Sequence, residues 1–214
     1  MKNTHSRGKL VVIVGTLLGA FAAQASGQSL PPYVQLEIGQ AQIGLKASDI
    51  EEPGLGLSGG DRSDLGYAIT LGWRFTPQLA VEGSFVQLGE GKYTIDSVDG
   101  DAITNARLKV RSRGVLLSVA GSWPLGERVT VEGRAGAYLG RNETRVSGVL
   151  TNPLGSQSFN SLLGTDSKTG LAAGVGATFA LSETWGLRAG YDYIDSAFGK
   201  DASRVALAVR YNWP

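Results

Sequence analysis

Between Leu65 and Phe75 the chain alternates without a break. Leu65, Tyr67, Ile69, Leu71, Trp73 and Phe75 are large and apolar, while Gly66, Ala68, Thr70, Gly72 and Arg74 between them are small or polar. A period of two belongs to a strand, whose successive side chains point to opposite faces, so this segment separates two environments. The same odd-apolar phase recurs in Leu79–Phe85, Val115–Trp123, Val129–Leu139, Leu171–Leu181, Trp185–Tyr193 and Val205–Trp213. A first strand from Tyr33 carries its apolar set on even positions, Val34, Leu36 and Ile38, and brings the total to eight. Beyond the first 25 residues no stretch approaches the ~18 consecutive apolar residues of a membrane-spanning helix.

The connections alternate in length. Thr76-Pro77-Gln78, Pro124–Glu127 and Ser182-Glu183-Thr184 are tight turns, whereas 44–64, 89–110, 141–168 and 195–202 are longer, polar and rich in Gly, Ser and Asp. Short turns at one end and long loops at the other describe an up-and-down meander, which closes on itself and so removes its edges. A weak repeat fits hairpin duplication: LAVEG at 79–83, VTVEG at 129–133 and WGLRAG at 185–190 each open the strand after a short turn.

The polar face decides which side of the sheet is inside. From 170 to 180 it reads Gly170, Ala172, Gly174, Gly176, Thr178 and Ala180, with no charge. A water-facing strand carries Lys and Glu there, whereas small residues suit the crowded lumen of a narrow barrel. The 31 glycines of the chain fit the same demand. Trp73, Trp123, Trp185 and Trp213 all lie on the opposite, apolar face, each beside a short turn or the end of the last strand, as an interfacial aromatic girdle requires. These observations predict an all-β fold, an eight-stranded antiparallel up-and-down transmembrane β-barrel. Its short turns and tryptophans belong at the periplasmic side and its long loops outside the cell.

Residues 1–25 read as a cleaved signal peptide, leaving a barrel domain over 26–214. Lys2, Arg7 and Lys9 precede a run of mostly apolar residues from Leu10 to Ala23, and Ala23-Gln24-Ala25 forms an A-x-A cleavage site. The segment takes three basic residues and no acidic one with it, so the formal charge falls from +1 to −2. It also takes His5, the single histidine, and the chain has no cysteine. Thiolate sites and imidazole chemistry are thereby excluded from the mature protein. The mild charge gives no reason to expect nucleic acid.

The eight-stranded meander, modules such as GWRFTPQLAVEGSF and GATFALSETWGLRAGYDYI, and a last strand ending in Tyr211-Asn212-Trp213 resemble the small outer-membrane β-barrel superfamily that includes the OmpA transmembrane domain and OmpX. The resemblance spans essentially the whole mature chain. It implies a monomer in the bacterial outer membrane, in contact with lipid and lipopolysaccharide, inserted by an assembly machinery that reads the C-terminal strand, and without a cofactor or metal. The chain ends with its eighth strand, so the peptidoglycan-binding domain that accompanies the OmpA barrel is not expected. Barrel enzymes of this membrane rely on a histidine base, which the mature chain lacks, so a non-enzymatic role is expected.

Following the polar phase, Glu37, Arg74, Glu82, Glu132, Arg134, Arg188, Asp192, Arg204 and Arg210 point inward. Glu37, Glu82, Glu132 and Arg188 lie at similar depth with Arg134 and Arg210 in reach, and these six form the expected lumen ion network. The network serves either as a gated ion path or as a plug. The plug is preferred because eight strands leave little room for water. On the other face, Arg107, Lys109, Arg111 and Arg113 alternate in phase with lipid-facing Val115, and Arg141 lies at the corresponding end of the next strand. About ten residues cross the apolar band of such a barrel, which sets Arg113 near the outer interface. Guanidinium groups there are aimed at lipopolysaccharide phosphates. Asp96, Asp99 and Asp101 around Gly100 read as a hairpin tip rather than a calcium loop, with Tyr93, Ile95 and 102–110 extending the flanking strands. The expected function is an envelope-structural barrel with a packed polar lumen and surface-exposed loops. The alternatives are an adhesin or receptor acting through 89–110 and 141–168, and a narrow small-solute channel.

Overall fold

The computed structural model describes residues 30–44, 55–61, 63–98, 101–152, 155–195 and 200–214. Nearly all lie in nine strands: β1 (Tyr33–Ile43), β2 (Leu55–Asp61), β3 (Ser63–Arg74), β4 (Leu79–Val98), β5 (Asp101–Pro124), β6 (Val129–Asn152), β7 (Gly155–Ala180), β8 (Trp185–Ile194) and β9 (Ala202–Asn212). Eight of them form a ring in the order β4-β3-β1-β9-β8-β7-β6-β5, with β5 returning to β4. The first and last strands close it in antiparallel register, Tyr33 opposite Asn212 and Ile43 opposite Ala202. The expected signal segment 1–25 falls outside the described residues, as do Asp99 and Gly100.

Two of the three tight turns owe their geometry to hydroxyl side chains. Thr76 Oγ1 accepts from the backbone N–H groups of Gln78 and Leu79 at 3.2 and 3.0 Å. Ser182 Oγ does the same for Thr184 and Trp185 at 3.3 and 3.0 Å. These bonds satisfy donors that the ladder no longer reaches and fix where the next strand begins.

At the opposite end three of the four long connections contain sheet. The stretch 141–168, expected as a loop, runs as β6 to Asn152 and as β7 from Gly155, with Leu139 opposite Thr169 and Asn152 opposite Gly155. β4 and β5 pair to Val98 and Asp101, and β2, inside the expected loop 44–64, adds to the outer part of β4. Backbone pairing does not require an apolar face. Where water bathes the outside of a strand, the hydropathy alternation fades while the hydrogen-bond ladder continues. A bulge centred on Gly89, whose φ of 81° is the left-handed conformation that glycine tolerates, opposes Gln87 to Arg113 but Glu90 to Arg111. Above it β4 changes phase, so that Lys92 points out and Tyr93, 2% exposed, points in.

The outside of the ring below the bulge is an apolar belt. Leu36, Ile38, Leu71, Leu117, Val175 and Leu207 are each about half exposed or more. A band of this size cannot face water, and it covers the surface that lipid contacts.

Candidate functional site

The interior of the ring is filled in layers. Nearest the short turns, Glu132 on β6 accepts two bonds from the Arg210 guanidinium, one to each carboxylate oxygen, that to Oε2 at 2.8 Å. Arg188 Nε donates to Glu132 Oε2 at 3.0 Å and Thr178 Oγ1 to Oε1 at 3.1 Å. Arg210 Nε donates to Gln35 at 2.9 Å, and its guanidinium lies 4.4 Å from the centroid of the Tyr33 ring. Arg74 contacts the same ring at 4.6 Å and donates to Pro31 O and Asn212 Oδ1 at 3.1 and 2.8 Å. Tyr33 in turn donates to Glu82 Oε1 at 2.5 Å. Below this layer opens a vestibule of about 520 Å³.

One layer further in, Arg134 forms a bidentate pair with Asp192, 2.8 Å from Nε to Oδ1 and 2.7 Å from Nη2 to Oδ2. Arg204 Nη2 bridges Asp192 Oδ2 at 2.9 Å and Glu37 Oε2. Arg134 also approaches Glu37 and Glu82, each at 3.5 Å. The Gln35 amide donates to Glu37 Oε1 at 2.8 Å and links the two layers. Four carboxylates and four guanidinium groups are buried here, so the charges balance and the mutual attraction offsets their desolvation.

All six residues of the expected network are inward and engaged, but not at one depth. Glu132, Arg188 and Arg210 make one cluster, while Glu37 and Arg134 belong to the other, with Glu82 between them. Asp192 and Arg204, inward on the same pattern but left out of the six, are the hub of the upper cluster. Gln35, Tyr33, Thr70 and Thr178 were missed because uncharged residues on a polar face carry no distinguishing mark.

Room for these long side chains comes from glycine. A Cβ on Gly174 would lie 2.2 Å from Asp192 Oδ1, one on Gly176 2.8 Å from Arg188 Nη2, and one on Gly190 2.5 Å from Arg188 Nη1. Register explains why these are the positions. Arg134 stands opposite Gly174, and Glu132 opposite Gly176.

The expectation of a lumen polar throughout is corrected by the outer half. There Ile43, Val86, Leu88, Tyr93, Leu108, Val110, Leu116, Tyr138 and Ile194 form one buried apolar cluster with small neighbours. The Tyr138 ring, fully buried, lies across Gly114 and Gly140, whose Cβ atoms would come within 2.8 and 2.3 Å of it, and its hydroxyl meets Ser112 Oγ at 3.1 Å. Alternation already marked this inversion in Arg107-Leu108-Lys109-Val110-Arg111, where charge faces out and apolar residues face in.

On the outer face, Arg107, Lys109, Arg111, Arg113 and Arg141 are all exposed. Arg111 pairs with Glu90, and Arg113 Nη2 lies 2.5 Å from Glu143 Oε1, which Arg145 also approaches at 3.7 Å. Arg107, Lys109 and Arg141 have no ion-pair partner among the described residues. The two acids escaped the sequence reading, Glu90 because the bulge hides its phase. With Lys92 and Arg145 the face carries seven cations against two acids. Trp73, Trp123, Trp185 and Trp213 all point outward beside the short turns or the end of β9, each 43–57% exposed.

No curated protein sequence matches the chain. Among solved structures, it is similar to Ail, the attachment invasion locus protein of Yersinia pestis, solved with the heparin analogue sucrose octasulfate (19% identity, 86% of this chain and 100% of that one, TM-score 0.49). It is also similar to Neisserial surface protein A (18%, 87% and 100%, 0.48) and to the N-terminal β-barrel domain of Pseudomonas aeruginosa OprF (12%, 87% and 100%, 0.48). The model of the outer membrane protein beta-barrel domain matches residues 13–212, and with its closed ring and lipid-facing belt the chain belongs to that bacterial outer-membrane family.

Proposed function

We propose that this protein is a sealed, non-enzymatic barrel whose work is done on its outer surface, where a basic strand face engages lipopolysaccharide. The observation that carries the reading is the filled interior: balanced ion pairs in one half and a continuous apolar cluster in the other. A lumen so occupied supports neither a water column nor a substrate pocket, which disfavours the narrow-channel reading. In planar bilayers the purified protein is expected to give no single-channel steps above the lipid baseline. Large, well-defined conductance levels would overturn the seal.

The tryptophans serve in this reading as the inner-interface girdle, and the outer cations meet phosphate at the opposite boundary. Replacing Arg107, Lys109, Arg111 and Arg113 together by serine is expected to abolish the gain in thermal stability that lipopolysaccharide confers on the folded barrel. An undiminished gain would remove the lipopolysaccharide role. A second reading, adhesion, draws on the sheet that β2, β4, β5, β6 and β7 continue above the belt. β7 pairs with β8 only from Ala172 onward, so among the described residues its outer part has no partner on that edge, with Leu162 and Leu163 exposed beside it.

A further inference from the structure

The cations of the outer face do not share one environment. Counting outward along each strand of the ring, the first non-apolar outward position above the belt is Gln40 on β1, Ser63 on β3, Gln87 on β4, Arg113 on β5, Arg141 on β6, Thr169 on β7 and Ser203 on β9, with Asp195 just past the end of β8. Among the described strands of this ring, the only two cations therefore stand side by side. They are also directly opposed in the ladder, Arg113 opposite Arg141. Like charges directly opposite one another on neighbouring strands, about 5 Å apart at Cβ, are destabilising. Glu143 offsets one of them, while Arg141 has no acidic partner among the described residues.

Beneath this pair the barrel wall is dented. A groove of about 380 Å³ is bounded by Arg113 and Arg141 on the outer side, floored by Phe85, Val115 and Leu139, and flanked on β7 by Thr169 and by Lys168, whose ammonium is held by Asp166 at 2.7 Å. Those three floor side chains belong to the lipid-facing belt and are 45%, 42% and 51% exposed. The groove is thus cationic where water begins and apolar where hydrocarbon begins. Lys109 and Arg107 lie two and three outward positions above Arg113 and do not line this groove.

We propose that this groove is a discrete site for one phosphorylated lipid of the outer leaflet, a lipid A phosphate held between Arg113 and Arg141 with an acyl chain along Phe85, Val115 and Leu139. Planar guanidinium groups match phosphate oxygens bidentately, and a dianion between two opposed cations converts their repulsion into attraction. The inference rests on the lipopolysaccharide reading above and narrows it from a charged face to one seat.

The test titrates the detergent-solubilised, folded barrel with lipid A bearing two phosphates or none, with inorganic phosphate as a third probe. Heat-modifiable gel migration confirms the fold of each variant. Arg141→Gln is expected to weaken diphosphoryl lipid A at least about tenfold, the scale of a lost charge-assisted contact, whereas Arg107→Ser with Lys109→Ser costs no more than about threefold. Dephosphorylated lipid A and inorganic phosphate should each bind at least about tenfold more weakly than the diphosphoryl lipid, because each supplies only half of what the groove offers. If the Arg107/Lys109 variant lost as much as Arg141→Gln or more, the discrete seat would be overturned while the basic-face reading stood. If neither variant lost affinity, both would fall. Equal binding of inorganic phosphate would reduce the site to a free-anion site and overturn the lipid assignment.

Discussion

Glu132→Gln is expected to destabilise the folded barrel by about 3 to 5 kcal/mol, the usual cost of leaving a buried ion without its partner. The carboxylate takes bonds from Arg210, Arg188 and Thr178, and the two guanidinium groups have only neutral acceptors or the Tyr33 ring besides. An amide has one oxygen to offer them and no charge. Urea titration of the protein in lipid vesicles, read as loss of the heat-modifiable folded band, should show the transition moved to much lower denaturant. Adding Arg188→Gln to the same chain should cost less than the sum of the two single changes, because the second removes a cation that the first had stranded. Conductance should remain at baseline in both, since the apolar cluster of the outer half is untouched. An unchanged urea midpoint for Glu132→Gln would show that the lower ion cluster contributes nothing to holding the fold.

The second large effect is expected from a change that removes no interaction directly. Gly174→Val places a Cβ 2.2 Å from Asp192 Oδ1 and 3.2 Å from Arg134 Cγ, against a wall with no slack. Either Asp192 leaves its bidentate pair or the strands part, and a loss of about 3 kcal/mol or more follows from overpacking combined with a broken buried ion pair. Gly164→Val on the same strand is the control. Nothing lies within 4 Å of its Cβ position, so it should shift stability by no more than about 0.5 kcal/mol. Comparable midpoints for the two variants would contradict the view that lumen glycines are there to make space for arginines.

The ring, its strand order and its lipid-facing side were legible because alternation is loudest where the two faces meet lipid and a packed lumen. The segment 65–75 reads without error because every odd residue is large and apolar and every even one is small or polar. The same device falls silent above the belt. Over 142–148 polar residues fall on either side, so the segment reads as loop although it pairs with β7 with one register shift at Thr144/Arg145. Bulges defeat the reading differently: the extra residue at Gly89 leaves no trace in hydropathy, yet it exchanges the faces of everything from Glu90 onward. The lumen set was recoverable by phase but not by depth. Strand tilt staggers the layers, so equal counts from the turns do not mean equal heights, and Glu37 thereby came to Asp192 and Arg204 rather than to Glu132.

The change of interior from ion pairs to apolar side chains near Leu116 and Tyr138 has a consequence for anything charged that enters from the short-turn mouth. Outside the wall, the apolar belt ends at Val115 and Leu139, and Arg113 and Arg141 follow at the next outward positions. Inside, the apolar stretch starts at that level and continues up to Leu108 and Tyr93. The dielectric barrier within the barrel is therefore displaced outward from that of the surrounding bilayer, and a proton or ion rising along the axis would meet its steepest climb where the outer surface is already wet.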